Sequence, residues 1–595
     1  DADTVTAIDG ATHAKLFERA VGVNPRTLAP APDGSIGVVN QGSASISVLS
    51  GDQGTLLQTI ALPFASRPYG IAFAPNGSAA YVATEGSRQL LKLDPAGRQV
   101  IASLNLNVPA RGVAVTQGSS RVFVTRFLSP ASRGEVVEVS GSTFTVVRTF
   151  ALALDPGPDT NVSGRGVPNY LSAIAISPDG RQARVPSKKD NTARGQFRDG
   201  RALDFESTVR TIVSYLDLGT SAENLALRVD LNDRDMASAV AYSPLGDYVF
   251  VATQGTNTVE VFDAYDNRLV TGIPNTGRSP QGLAFSADGR RLYVQSFMSR
   301  SVGVYDVSGI VNSTTNTFTK LAEIATVASE RLPAAVLRGK QIFYNAADRR
   351  LNRDGYISCA SCHLDGGQDG RVWDFTDRGE GLRNTIALTG RRGTGHGRVH
   401  WTANFDEIQD FEHDIRGSFG GTGFMSDEQF HTGTRDTPLG DRKAGVSVDL
   451  DALAAYVASL TRAPASPYRN QDGSLTADGL AGRQIFQRLG CGSCHGGPDF
   501  TDSASGALHD VGTLKPSSGG RLGQPLTGLD TPTLKGVWQT GPYLHDGSAS
   551  TFLAVLTTAN PDGRHGNTAS LTDAERQQLV SYLRQIDESE PAPPR

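Results

Sequence analysis

The first half of the chain alternates short apolar runs with polar turns rich in Pro, Asp, Asn and Gly. The turns recur roughly every 40–45 residues, the repeat length of a four-stranded propeller blade. After each turn comes one strand-like run and, beyond a polar break, a second, as in residues 248–251 and 258–262. We count six repeats and a fragment, residues 4–23, that matches the last two strands of another blade. The pattern predicts an all-β propeller of about seven blades, with six as the alternative.

Two stretched repeats place long loops near residues 155–170 and 187–208. The second loop is rich in charge, with Lys188, Lys189, Asp190, Arg198 and Asp199. A loop of this composition is usually solvated, and we expect the same here. The alternative is a docking loop that faces another domain or a partner. The repeats resemble the bacterial YVTN-type propellers, with residues 67–77 as the best match, and this resemblance implies a fold without a function.

From about residue 326 the apolar positions take on helical spacing. Residues 333–345 and 480–489 share a Gly-(Lys/Arg)-Gln-Ile-Phe motif, and residues 451–460 echo residues 576–586. The second half therefore contains a duplicated, mostly α module. We predict three domains: the propeller over 1–328, a first haem domain over 329–465 and a second haem domain over 466–595.

Each helical module contains one Cys-x-x-Cys-His motif, the attachment signature of c-type haem. The two motifs are Cys359, Cys362 and His363, and Cys491, Cys494 and His495. Two thiols one helical turn apart can bond both vinyl groups of a porphyrin, and the following imidazole can bind its iron. A zinc site is the weaker alternative, because zinc pairs two such clusters around one metal. We predict two covalently bound haem c groups.

The composition argues against several classes of protein. A net charge of −5 argues against nucleic acid as a partner, since phosphate binding needs a basic surface. No apolar run reaches the roughly 18 residues of a transmembrane segment. All four cysteines lie in the two motifs, which excludes a disulfide framework. Because haem c is attached outside the bacterial cytoplasm, we expect a periplasmic or secreted protein whose signal peptide has been removed.

The second iron needs a sixth ligand. The three methionines all precede the second motif: Met236, Met298 and Met425. Methionine ligation is therefore not available locally, and the candidates are His509, His545 and His565. We predict that His565, in a polar loop just before the last helix, completes a bis-histidine site. The alternative is a solvated loop histidine.

Residues 330–590 resemble the di-haem cytochrome c peroxidase/MauG superfamily. The matching stretches are residues 383–385, 400–401, 531–534 and 540–547. The resemblance implies that hydrogen peroxide reacts at the haem bound by His363 and that the haem bound by His495 relays electrons. It also implies that Trp401 lies between the haems, with a buried core tryptophan as the alternative.

The family also holds a calcium ion between its haems. The resemblance places the ligands at the Asn384 side chain and the carbonyls of Thr540 and Pro542, an oxygen-only set that suits Ca²⁺. The chain departs from the family elsewhere, because Ala559 stands where relatives have a methionine or tyrosine ligand.

The chain also departs from the family pattern on the distal side of the first haem. No histidine occurs between residues 364 and 395, so this haem is expected to rest open unless His396, His400 or His413 binds it. The distal Gln and Glu of the family are absent, and Glu412 is the nearest substitute. We predict Trp401, His400 and Glu412 as catalytic residues, although an acidic helix facing solvent is equally compatible with Glu412.

These features predict a periplasmic di-haem peroxidase or oxidase. Its donor is a small cytochrome c or cupredoxin, as in the peroxidases, or a protein substrate docked on the propeller, as in MauG. The alternative is a non-catalytic electron-transfer protein whose propeller binds a ligand or partner. A catalytic metal in the propeller is disfavoured, because the propeller has His13 as its single histidine and no cysteine.

Overall fold

The computed structural model describes residues 1–94 and 98–593, and its first half is a β-propeller. Six antiparallel sheets of four or five strands follow one another along the chain, one blade each. The strands, blade by blade, are Pro25–Pro30, Ile36–Asn40, Ser45–Leu49 and Leu56–Ala61; Pro68–Phe73, Ala80–Thr84, Gln89–Leu93 and Val100–Asn105; Ala110–Val115, Arg121–Arg126, Arg133–Ser140 and Val146–Ala153; Val167–Asn169, Ala175–Ile176, Gln182–Asp190, Val209–Asp217 and Val229–Leu231; Ala237–Tyr242, Tyr248–Thr253, Thr258–Asp263 and Leu269–Ile273; Pro280–Phe285, Arg291–Ser296, Ser301–Asp306 and Thr319–Ala325.

A seventh, smaller sheet lies between the last blade and the first. It has two strands, Thr4–Ile8 and Lys15–Ala20. Thr6 Oγ1 donates a hydrogen bond to the Thr326 carbonyl, directly after the sixth blade. The Val23 amide donates to Ser43 Oγ of the first blade at 3.1 Å. The predicted two-strand fragment is therefore confirmed, and the complete blades in the described residues number six, the alternative count.

The blades are held together by their middle strands. Ala80–Thr84 is buried along its whole length, because its two faces pack against neighbouring blades. The outermost strand Val100–Asn105 alternates half-buried and exposed positions, since one of its faces meets solvent. The apolar alternation that predicted the repeats therefore reflects packing between blades.

The charged segment at residues 188–190 is not a solvated loop. Lys188, Lys189 and Asp190 end the buried strand Gln182–Asp190. Lys188 Nζ lies 2.8 Å from Asp190 and 3.2 Å from Asp369 of the helical half. The expectation of a solvated loop is wrong for these three residues, because each buried charge has a partner of opposite sign nearby. Lys188 faces the helical half, as the docking alternative expects, whereas Lys189 pairs with Asp155 inside the propeller.

Four helices of ten or more residues form two pairs in the second half. They are α1 (Ala334–Phe343), α2 (Val448–Ala458), α3 (Ala477–Arg488) and α4 (Asp573–Gln585). Helix α1 packs on α2, and α3 packs on α4. A Cβ at Gly339 would lie 1.8 Å from the Ala452 carbonyl, and one at Gly482 would lie 2.0 Å from the Gln578 carbonyl. The glycine of the repeated motif therefore marks the helix crossing in both modules, which confirms the duplication.

The rest of this half is less helical than the expected mostly α architecture. Long turns link short elements, because the chain spends much of its length lining two cavities. The short helices are Ala360–His363, Glu412–Arg416, Asp427–Phe430 and Phe552–Leu556, and the short strands are Val372–Asp374, Leu382–Asn384, Gly520–Arg521 and Gln524–Pro525. Within residues 1–94 and 98–593, each helix falls short of the length or apolarity needed to cross a bilayer.

Candidate functional site

The first Cys-x-x-Cys-His motif lies on the wall of a large cavity. Cys359, Cys362 and His363 line about 1560 Å³ of space, mouth included, among mainly apolar side chains. His363 Nδ1 lies 3.2 Å from the Gly367 carbonyl, which leaves Nε2 as the free ring nitrogen. Burial lowers the pKa of His363 and favours the neutral imidazole that binds metals.

The second motif lies on the wall of a second cavity, of about 1940 Å³ with its mouth. Cys491, Cys494 and His495 all line it. His495 Nδ1 faces the Phe500 carbonyl at 3.4 Å, in the same manner as His363 in the first module. Burial, with His565 as the next cause, lowers the pKa of His495 to about 4. This imidazole is therefore also held in the neutral, metal-binding form.

His565 lies opposite His495 in the second cavity. The two ring centres are 6.2 Å apart and the ring planes differ by 38°. Two imidazoles that bind one metal ion from opposite sides, through nitrogens about 2 Å away, have ring centres about 6 Å apart. His545 is instead hydrogen-bonded to Ser518 at 2.7 Å, and His509 to Asp502 at 2.8 Å. Of the three predicted candidates, the structure pairs His565 with His495.

Both cavities fit a covalently bound haem. Each presents two thiols and a neutral imidazole together with a mainly apolar lining. The residues that would hold the groups are the cysteines and histidines of the two motifs. Together with the N-terminal propeller, these sites define a c-type cytochrome fused to a β-propeller.

Comparisons with known proteins agree with this class. The family model "RoxA-like, cytochrome c-like" matches residues 528–564, and "Lactonase, 7-bladed beta-propeller" matches residues 213–328. The chain is 31% identical to hydrazine synthase subunit gamma of Kuenenia stuttgartiensis, over 40% of this chain and 74% of the relative. It is 26% identical to methylamine utilization protein MauG of Methylorubrum extorquens, over 44% of this chain and 81% of the relative. It is 24% identical to cytochrome c551 peroxidase of Nitrosomonas europaea, over 51% of this chain and 93% of the relative. The chain belongs to the di-haem cytochrome c peroxidase/MauG superfamily and is a haem c oxidoreductase.

Trp401 lies in the wall that the two cavities share. It lines both of them, and its Nε1 donates to the Asn384 carbonyl at 2.8 Å. Asn384 and Arg391 also line both cavities. Trp401 therefore lies between the two cavities, hydrogen-bonded to a residue of the predicted calcium set.

The predicted calcium residues are partly brought together. The Asn384 side-chain amide contacts the Pro542 carbonyl, and its backbone amide donates to the His545 carbonyl at 2.6 Å. Among the described residues, Asn384 Oδ1 has no hydrogen-bond partner. Rotating this amide would present Oδ1 to the same space, as a bound cation requires. Thr540 lies two residues before Pro542 on the wall of the second cavity.

His400 lines the first cavity, whereas His396 and His413 are not part of its wall. His400 Nδ1 lies 2.7 Å from Asn404 Oδ1, and Asn404 Nδ2 donates to Glu380 Oε1 at 2.6 Å. An ionised carboxylate only accepts, so Asn404 must turn its oxygen toward a protonated Nδ1 of His400. His400 Nε2 is then the basic atom of the ring. Sequence analysis missed Glu380 and Asn404, because nothing in their spacing marks this hydrogen-bonded chain.

Glu412 lies outside the cavity lining. Its fully buried carboxylate accepts from Arg416 Nε at 2.8 Å and from the amides of Phe424 and Met425 at 2.9 and 3.0 Å. These bonds fix the loop after the helix Glu412–Arg416. This placement does not support a catalytic role for Glu412, and Glu380 is the carboxylate that lines the first cavity.

The propeller contributes directly to the first site. Leu203 and Thr208, from the long fourth-blade insertion, line the first cavity. Tyr170 Oη donates to the Cys362 carbonyl at 2.8 Å, within the haem-attachment motif itself. Sequence analysis did not predict these contacts, because they join residues far apart in the chain. The propeller is part of the wall of this site.

Proposed function

We propose that the chain is a periplasmic di-haem oxidoreductase that uses hydrogen peroxide at the first cavity. The observation that carries the proposal is the asymmetry of the two sites. The second cavity pairs His495 with His565 at the spacing of a doubly ligated metal. Among the described residues, no imidazole lies as close to His363. One site is therefore suited to electron relay, and the other leaves room for an outside molecule.

Haem c, when bound, supplies the iron redox chemistry that no side chain provides. The residues around the first cavity handle protons. Burial opposes ionisation of Glu380, but His400, Arg378 and Arg383 outweigh it and hold the pKa of Glu380 below its usual value. Peroxide reduction needs a base that takes a proton from one oxygen and delivers it to the other. His400 Nε2 is that base, and Glu380 stabilises the resulting imidazolium through Asn404.

Trp401 provides the connection between the two cavities for one-electron transfer. Its Nε1 is fixed by the Asn384 carbonyl, so a calcium ion held by Asn384, Thr540 and Pro542 would also hold the indole in place. The electron donor is a small redox protein, a cytochrome c or cupredoxin, or a protein substrate that docks on the propeller. Covalent attachment of haem c accounts for the periplasmic or secreted location.

The test compares His400→Gln with the matched control His431→Gln, whose side chain is 62% exposed and is not part of the cavity wall. We expect peroxide turnover with a one-electron donor to fall by about 10²–10⁴-fold in the first variant and to stay unchanged in the control. Resting wild-type protein should give one high-spin and one low-spin ferric signal in electron paramagnetic resonance. Two low-spin signals together with no spectral response to peroxide would refute the proposal and favour the electron-transfer alternative.

A further inference from the structure

A buried cation without a partner lies between the two cavities. Arg391 is 5% exposed and lines both cavities. Within the described residues, its guanidinium has no hydrogen bond and no ion pair. Every other buried lysine or arginine of the described residues makes a side-chain hydrogen bond or an ion pair. Examples are Lys443 with Asp410 at 2.6 Å and Arg469 with Glu590 at 2.8 Å. Arg391 is therefore the exception that needs an explanation.

The protein itself does not neutralise this charge. Asp530 is the acidic group that influences Arg391 electrostatically, but it lies beyond ion-pair distance. Its carboxylate accepts from Ser503 Oγ at 2.8 Å, and burial raises the pKa of Asp530 to about 6. An arginine keeps its charge, and a buried unpaired charge is strongly unfavourable. The site therefore calls for an anion that enters one or both cavities.

The chemistry of the attachment motif indicates which anion this is. Thioether bonds to Cys359 and Cys362 would hold the vinyl edge of a porphyrin at the attachment motif, which contacts the propeller through Tyr170 and Asp235. The two propionates are carried on the edge opposite the vinyl groups. They would therefore lie away from the attachment motif, and Arg391, which lines both cavities, is the buried cation available to bind them.

We propose that Arg391 binds haem propionates at the boundary of the two cavities and sets the reduction potentials of both haems. This inference rests on the proposed pair of haems. A guanidinium suits the role, because its planar fork matches carboxylates in a bidentate manner. The neighbouring Arg392, by contrast, already pairs with Asp499 of the second module.

The charge of Arg391 has a defined effect on the redox equilibrium. Reduction adds an electron to the haem, so a nearby positive charge favours the reduced form. Removing that charge should shift the reduction equilibrium of each haem toward the ferric state. We expect a shift of about tenfold per haem, equal to about 59 mV for a one-electron couple.

The experiment is a spectroelectrochemical titration of the holoprotein and three variants. In Arg391→Gln both midpoint potentials should fall by about 59 mV, which is a tenfold change in the reduction equilibrium constant. In Arg391→Lys they should fall by less. Arg392→Gln is the matched control. It removes an equal charge at the next residue, and the Arg392 side chain lines neither cavity. Arg391→Met carries the same expectation as the glutamine variant if the latter does not fold.

Unchanged potentials in Arg391→Gln or Arg391→Met would overturn the inference, and so would an equal shift in Arg392→Gln. Both potentials must move, since Arg391 lines both cavities. Failure of the proposed function is seen separately, as a haem content other than two per chain or a lack of response to peroxide. Potentials that shift in a protein inert to peroxide would still support the role of Arg391.

Discussion

Asp235 is a buried propeller carboxyl that meets the first haem-attachment motif. It is 2% exposed, and it accepts hydrogen bonds from Ser358 Oγ at 2.7 Å and Ser361 Oγ at 2.8 Å. No cation of the described residues lies within ion-pair distance of it. Burial raises the pKa of Asp235 to about 7. Replacing it by asparagine should therefore remove a penalty, because an amide keeps one acceptor oxygen and has no charge to bury.

The magnitude follows from the shift in the Asp235 pKa. The shift from 3.8 to about 7 corresponds to ~4 kcal/mol at 1.36 kcal/mol per unit. An acid with a raised pKa binds more protons in the folded state between these values, so stability falls as pH rises from about 4 to 7. The penalty is absent below about pH 4 and complete above about pH 7. Asp235→Asn should thus gain up to ~4 kcal/mol relative to wild type at pH 8.

The assay is denaturant unfolding of the holoprotein at several pH values between 4 and 8. The free-energy difference between Asp235→Asn and wild type should widen across this window in favour of the variant. Asp266→Asn is the control, because the Asp266 side chain is 61% exposed, and its curve should parallel that of wild type. A pH-independent difference for Asp235→Asn, or one that widens in favour of wild type, would refute the reasoning.

Two further predictions concern the second module and the wall between the cavities. His565→Ala should convert one low-spin haem signal to high-spin in electron paramagnetic resonance, because it removes the imidazole that faces His495; an unchanged spectrum would exclude His565 as a ligand. Calcium at about 100 times its dissociation constant should stabilise the wild-type protein by ~2.7 kcal/mol relative to chelated protein. Asn384→Ala should abolish this gain in a thermal melt, and a gain that survives would place the ion elsewhere.

The sequence predicted those features that repeat or that follow fixed chemical spacing. Blade repeats, the helix pairs and both attachment motifs depend on neighbours near in sequence, so periodicity and motif spacing were enough. His565 was predicted as a ligand from its place in a polar loop before the last helix, and its ring lies 6.2 Å from that of His495. The blade count differs between the prediction of seven and the six complete blades observed, because the N-terminal sheet has two strands in place of four.

Residues that act through long-range contact were not predictable. Glu380 is hydrogen-bonded to His400 through Asn404 and lies 3.8 Å from its Nδ1, and Arg391 is distinguished by the partners it lacks. Glu412 has the right residue type near the expected position, but its carboxylate is used to fix a backbone loop. Residue type and spacing cannot separate these roles, because each depends on which side chains the fold brings within about 3 Å.

Buried charges fix how the propeller meets the first haem module. Asp365, two residues after His363, lies 3.1 Å from Arg26 and 3.3 Å from Arg111, and Arg111 also pairs with Glu85 at 2.9 Å. Buried ion pairs add little net stability, but a misplaced partner leaves an uncompensated charge, so such pairs select one docking geometry. This face of the propeller is therefore occupied by the haem module. A protein substrate or donor that uses the propeller must bind its rim or its opposite face, and replacing exposed residues there should change donor turnover while leaving the haem spectra unchanged.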